Sequence, residues 1–146
     1  MSEQDAPAAA PTEPDLPAPA PVVNVETRPF WDATAEGRLL LVRCDGCGVT
    51  IWYPRGFCPE CRSTATSWFE ASGRGQIYSF TVVRRGEGPY REAGPYVLAY
   101  VELDEGPRIM TNIVGAEHAA LRIGQPVEVV FHDTGEGPAL PRFRPR

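Results

Sequence analysis

The chain has 146 residues, enough for one domain or a small domain with an appendage and too few for a large enzyme. Its formal net charge is −5, with 19 acidic residues against 14 arginines and no lysine at all. Glu3, Asp5, Glu13 and Asp15 fall in the first 21 residues, so the remainder is close to neutral. It lacks the clustered basic excess with which backbone-tracking nucleic-acid binders release counterions from phosphates.

In chain order, Met1 to Pro21 comes first, with six prolines and six alanines among scattered acids. Such a stretch cannot bury enough apolar surface to offset the entropy of ordering it, which predicts a disordered tail over residues 1–26. The start has neither the basic residues nor the unbroken apolar run of a secretory signal, and no stretch approaches membrane-spanning length. A soluble, cytoplasmic protein is the expectation.

A short helix is predicted from Arg28 to about Glu36, with Pro29 where helices tolerate proline and Gly37 ending it. Phe30 and Trp31 are large apolar residues on this otherwise polar segment and must be buried somewhere. Packing on their own domain and docking in a partner both meet that demand. Leu39 to Arg43 reads as a strand that delivers Cys44.

Cys44-Asp45-Gly46-Cys47 and Cys58-Pro59-Glu60-Cys61 contain all four cysteines, as two C-x-x-C pairs ten residues apart. Tetrahedral zinc needs four thiolates at about 2.3 Å, and each pair supplies two of them from one tight turn. Gly46 and Gly48 let the first turn bend back toward the metal, and Pro59 stiffens the second. A thioredoxin-like motif needs only one such pair at a strand-to-helix junction, and two disulfides would imply export, so both fit less well. The prediction is a structural Zn2+ on Cys44, Cys47, Cys58 and Cys61, with no open position for catalysis. Ile51-Trp52-Tyr53-Pro54 returns toward the second knuckle, giving a small antiparallel ribbon over about Arg38 to Thr66. Arg43, Arg55 and Arg62 flank the knuckles, where balancing the negative charge of a four-thiolate centre is favoured over ligand binding.

From Trp68 onward, short strands alternate with glycine and proline turns. Gln76 to Arg85 is one strand. Tyr96 to Leu103 and Arg108 to Val114 form a hairpin across Asp104-Glu105-Gly106-Pro107. A short helix at Ala116 to Leu121, a strand at Val127 to His132 and a last strand at Ala139 to Arg144 complete the set. Five strands with a small helix between the third and fourth is the order of an OB-fold barrel. The fold class is therefore mainly β: a helix and zinc ribbon over residues 27–66, then an OB-fold over 67–146.

A catalytic constellation is missing from this pattern. His118 and His132 sit in no nucleophile or hydrolase motif and read as exposed surface residues. Gly73-Arg74-Gly75 is followed by no G-K-[ST], so it reads as a strand start or bulge. With the thiols committed to zinc, the chain reads as a binding or assembly module and not as an enzyme.

Arg28-Pro29-Phe30-Trp31, Glu36-Gly37-Arg38-Leu39-Leu40-Leu41, Arg43-Cys44-x-x-Cys47-Gly48, Tyr53-Pro54-Arg55, Cys58-Pro59-x-Cys61 and Pro95-Tyr96-Val97-Leu98-Ala99 resemble, in order, the zinc-ribbon OB-fold proteins known as domain of unknown function family thirty-five. The resemblance covers Thr27 to the C-terminus. It implies a rubredoxin-like ribbon and an OB-fold used for acyl-CoA or protein association, in a subunit that accompanies thiolase-fold enzymes. These include acetyltransferase complexes and the lipid-transfer-type aldolases that cut steroid side chains as CoA thioesters. Under that resemblance Phe30, Trp31, Trp52, Tyr53 and Phe57 are partner anchors. Tyr90, Arg91 and Tyr96, in and beside the Gly86–Gly94 loop, face an acyl-CoA at the shared interface or belong to a solvated hairpin. Arg84, Arg85, Arg142 and Arg144 meet CoA phosphates or cap solvated strand ends. Two other functions stand beside this one: a stand-alone nucleic-acid-binding OB-fold and an independent acyl-CoA binder.

Overall fold

The structure, a computed structural model, describes residues 16–146. The first 15 residues of the expected tail lie outside that range. Helix α1 (Arg28–Ala35) precedes β1 (Leu40–Cys44), β2 (Thr50–Ile51) and β3 (Thr66–Glu70). Then come β4 (Arg74–Val83), β5 (Tyr96–Leu103), β6 (Arg108–Ile113), β7 (Pro126–Asp133) and β8 (Ala139–Pro145), with 3-10 turns at Gly88–Tyr90 and His118–Ala120. The first three strands form a sheet in the order β2-β1-β3, and the last five close a barrel in the order β4-β5-β6-β8-β7. That is the OB-fold arrangement.

Local chemistry sets the helix. Ahead of it, the Thr27 amide donates to Asn24 Oδ1 at 3.0 Å and the Asn24 amide to Thr27 Oγ1 at 3.1 Å. Gly37, at φ 73, takes the left-handed conformation that ends it. Phe30, Trp31, Ala33 and Thr34 share the buried face. Thr34 fastens the helix to the barrel, because its Oγ1 donates to the Trp31 carbonyl at 2.6 Å and accepts from the Ala139 amide at 3.1 Å.

The barrel interior follows the period-two rule. Val97, Ala99, Val101 and Leu103 point inward from β5, and Ile109, Thr111 and Ile113 from β6. Gly75 starts the wall because a Cβ there would run into the Glu102 carbonyl. Gly73–Gly75 is the strand start expected, since β4 begins at Arg74, and a separate register shift lies further on between Ile77 and Ser79. Strand β1 is buried on both faces. Leu39 and Leu41 join the barrel core, whereas Val42 and Cys44 pack with Ile51 and Cys58 in a smaller cluster.

Three expected elements differ from the structure. The return strand proposed for Ile51–Pro54 is only Thr50–Ile51, because Trp52 and Tyr53 leave the ladder to pack on Phe30. The ribbon has a third strand, β3, paired with β1 over five positions from Leu40↔Glu70 to Cys44↔Thr66. The helix expected at Ala116–Leu121 is one 3-10 turn, since so short a stretch between Gly115 and Gly124 cannot offset the cost of helix nucleation. Residues 16–26, expected to be part of a disordered tail, run along the barrel toward the ribbon. The Leu16 carbonyl accepts from Arg142 at 3.3 Å and Glu26 Oε1 from the Gly56 amide at 3.3 Å. No described helix is long and apolar enough to cross a membrane.

Candidate metal centre and docking surface

The two knuckles are near-copies of each other. In the first, the Gly48 amide donates to the Cys44 carbonyl at 2.9 Å, and in the second the Arg62 amide donates to the Cys58 carbonyl at 2.9 Å. Each donor stands four residues after the first cysteine in the left-handed region, Gly48 at φ 78 and Arg62 at φ 66. Gly48 therefore makes the first turn possible, as its sequence position suggested. In the second turn an arginine adopts the conformation that favours glycine, and nothing in the spacing announced it. Ser67 Oγ donates to both Asp45 oxygens, at 2.8 and 2.9 Å, and so ties the first knuckle to β3.

These turns bring the four Sγ atoms within 4.8 Å of one another. The Cys44–Cys61 and Cys47–Cys58 separations, 3.5 and 3.6 Å, cross from one knuckle to the other. A tetrahedron of thiolates around zinc has edges of about 3.8 Å, whereas a disulfide would need about 2.05 Å. The donor set is that of a structural zinc ion, with sulfur filling every position. Without a cation the sulfurs compete for protons. The Cys47 amide draws the Cys44 thiol down to about 7. The Val49 amide pulls the same way at Cys47, but burial and the neighbouring thiols outweigh it and push that group up to about 12. Cys61 is likewise raised: the Ser63 amide opposes the rise, and Cys44 and burial produce it. Four charges do not collect here unless a dication neutralises them.

Arg43 and Arg55, two of the flanking arginines, have local partners. Arg43 lies 4.1 Å over the Phe69 ring, and Arg55 Nε donates to the Tyr53 carbonyl at 3.1 Å.

The aromatic residues expected as anchors divide into two groups. Phe30 and Trp31 are 1% and 8% exposed and pack edge-on at 4.8 Å, with Trp52 5.4 Å from Phe30. They hold the helix to the ribbon and barrel, the packing on their own domain that the sequence left open beside docking in a partner. A short helix with two large aromatics lying against the barrel buries them there first. Trp52 is half-buried in the same cluster. Tyr53 and Phe57 are exposed, and Tyr53 Oη accepts from Trp31 Nε1 at 3.0 Å. Sequence reading missed a second exposed patch, formed by Tyr78, Tyr100 and Met110 on β4, β5 and β6. Strand parity could have found Tyr100 and Met110, but the bulge beside Ile77 hides Tyr78 from it. Arg108 stacks 3.8 Å over Tyr78 and pairs with Glu102 at 3.0 Å.

At the loop end of the barrel, Tyr90 and Tyr96 lie 5.3 Å apart and Arg91 is exposed. Both histidines are half-buried, contrary to the exposed positions expected. His132 Nδ1 lies 2.8 Å from Arg142 Nη1, and Arg142 itself is 1% exposed. That corrects its reading as a solvated strand end: the loop and the N-terminal segment cover it.

Comparison with known proteins accords with this architecture. Residues 31–67 match the family described as the ChsH2 rubredoxin-like zinc ribbon domain, and residues 68–132 match the ChsH2 C-terminal OB-fold domain. A probable enoyl-CoA hydratase alpha subunit of Thermomonospora curvata is 37% identical over 127 residues, covering 87% of this chain but only 40% of that protein. A protein of Methanocaldococcus jannaschii named a DUF35 domain-containing scaffold protein is 40% identical over 94 residues, 64% of this chain and 67% of its own length. The solved structure called Ltp2-ChsH2(DUF35) aldolase aligns with a TM-score of 0.77 and 36% identity, over 86% of this chain and 98% of that one. The chain belongs to the ChsH2-type zinc-ribbon and OB-fold family, DUF35.

Proposed function

We propose that this member of the DUF35 family is a non-catalytic subunit that docks on and activates a thiolase-fold enzyme acting on acyl-CoA, its reaction the retro-aldol cleavage of a steroid side-chain CoA thioester. The observation that carries the reading is the alignment with nearly the whole of a ChsH2 chain solved in an aldolase, supported by the scaffold name of the archaeal relative. The chemistry agrees, because the thiols are spent on the metal and a four-sulfur site leaves no position for substrate. Tyr53 and Phe57 on the ribbon and Tyr78, Tyr100 and Met110 on the barrel are the exposed anchors proposed for docking. Arg91 and the Tyr90–Tyr96 pair are proposed to face the acyl-CoA. A nucleic-acid role gains nothing from charge, since Arg108 and Arg144, two of the outward arginines, already pair with Glu102 and Glu128.

Co-expression with a thiolase-fold enzyme of the kind proposed tests the reading. A co-purifying complex is expected, with cleavage of the CoA thioester lost when this chain is omitted. Two proteins that elute apart, with the enzyme fully active alone, would overturn it. Acyl-CoA binding to the isolated chain at a 1:1 ratio would instead favour an independent carrier.

A further inference from the structure

Arg142 and Phe143 are consecutive on β8 and both are almost fully buried, at 1% and 0% exposure. Neighbours on a strand face opposite ways, so Phe143 fills the barrel and Arg142 lies on its outer wall beneath a cover. None of the ion pairs among the described residues includes Arg142. A buried guanidinium without a carboxylate persists only if neutral acceptors meet its donors. Nη1 donates to the Leu16 carbonyl at 3.3 Å and faces His132 Nδ1; Nη2 donates to Tyr90 Oη at 3.1 Å and to the Pro17 carbonyl. Half of these acceptors are therefore peptide carbonyls of the N-terminal segment.

We propose that this groove is a recognition site for an extended leucine-proline peptide, held in cis by the chain's own Leu16–Ala18 and open to the same sequence in trans once that segment is displaced. The composition of the segment suits it. Pro17, Pro19 and Pro21 remove amide donors and hold φ near −65°, giving an extended chain that cannot pair its own carbonyls. A donor-rich, acceptor-poor arginine is the complement of such a chain. Leu16 adds an apolar side chain that lines one recess together with Ala93, Pro95, Tyr96, Ile113 and His118. Ala18 borders a second recess that Phe131 and His132 also line. From Leu16 to Val25 the segment carries no charged side chain, and among the described residues peptide carbonyls, a tyrosine hydroxyl and an imidazole answer the arginine.

The test uses the zinc-loaded full chain and a fluorescein-labelled synthetic peptide of residues 12–23, followed by anisotropy. The tethered segment competes at an effective concentration on the order of 1 mM, so the wild-type chain should bind little peptide up to that level. Leu16→Asp in the protein should free the groove and raise peptide affinity at least tenfold. The peptide carrying Leu16→Asp should bind neither chain. A second background, a chain beginning at Val22, should behave like the Leu16→Asp protein, and adding Arg142→Met to it should abolish binding. Equal anisotropy for wild-type and freed chains with unchanged melting, or full binding to the Arg142→Met chain, would overturn the proposal. These measurements need no acyl-CoA enzyme, so their failure is separate from failure of the docking reading.

Discussion

Stripping the metal from the intact chain should unfold the ribbon and leave the barrel folded. The smaller buried cluster consists of Val42, Ile51, Cys44 and Cys58, with Val49 against it. Burying Val42 and Ile51 contributes about 3–6 kcal/mol together. A structural zinc ion contributes about 10–16 kcal/mol. Even the smallest gap between those ranges, about 4 kcal/mol, corresponds to about a thousandfold in an equilibrium constant. The barrel core rests on Ile77, Val97, Val101, Ile109, Val127 and Phe143 and uses none of the cysteines. Amide hydrogen exchange before and after chelation reads both parts at once. The Asp45, Gly48, Cys58 and Arg62 amides donate to the Ala65, Cys44, Ser63 and Cys58 carbonyls. Their protection should fall about a thousandfold, while amides of β5 and β6 keep theirs. Persisting protection at those four amides in material shown by metal analysis to be zinc-free refutes the reasoning, and so does collapse of the barrel with the ribbon.

Replacing Arg62, at φ 66, by glycine relieves a left-handed L-residue and should stabilise the chain by about 0.5–1 kcal/mol, seen as a higher denaturant midpoint. Gly48→Ala should do the opposite by about 1–2 kcal/mol; open space surrounds a Cβ there, so the cost is torsional. Thr34→Val leaves the buried Ala139 amide without its acceptor and should cost about 1–3 kcal/mol in urea unfolding. Phe30→Ala should cost about 3–5 kcal/mol, whereas Phe57→Ala should stay within about 0.5 kcal/mol of wild type and weaken only retention of the partner on a column.

The metal site was legible because two tight turns fix it locally, and the barrel because β5 and β6 alternate cleanly between turn signals. What stayed hidden depends on chain segments distant in sequence. Thr34 is an unremarkable helix residue until Ala139, 105 positions later, presents its amide. Phe30 could serve a partner or the fold equally well until Trp52 closes over it. Arg142 looks like a solvated cation because a covering segment 126 residues earlier reads as a featureless tail. Composition predicted a disordered tail through Leu16–Pro21, whereas the segment lacks regular structure yet is held by Arg142. It misled only in equating the lack of regular structure with the lack of contacts.

Strand β1 explains how a zinc site would serve the docking role proposed for this chain. Its Leu41 face enters the barrel core and its Val42 face enters the metal cluster, so the ion stiffens a strand that the barrel also holds. Tyr53 is fixed at the same junction by the Trp31 hydrogen bond. Met110 lines both the cleft with Trp52 and Tyr53 and the groove with Phe80, Leu98 and Tyr100, so it stands between Tyr53 on the ribbon and Tyr100 on the barrel. A partner that reads both patches is sensitive to the angle between ribbon and barrel, and rigid anchors lose less entropy on docking than mobile ones. Loss of zinc should therefore abolish assembly even though no metal ligand touches the partner. Zinc-free chain that still assembles at wild-type affinity would mean that the barrel patch alone carries the contact.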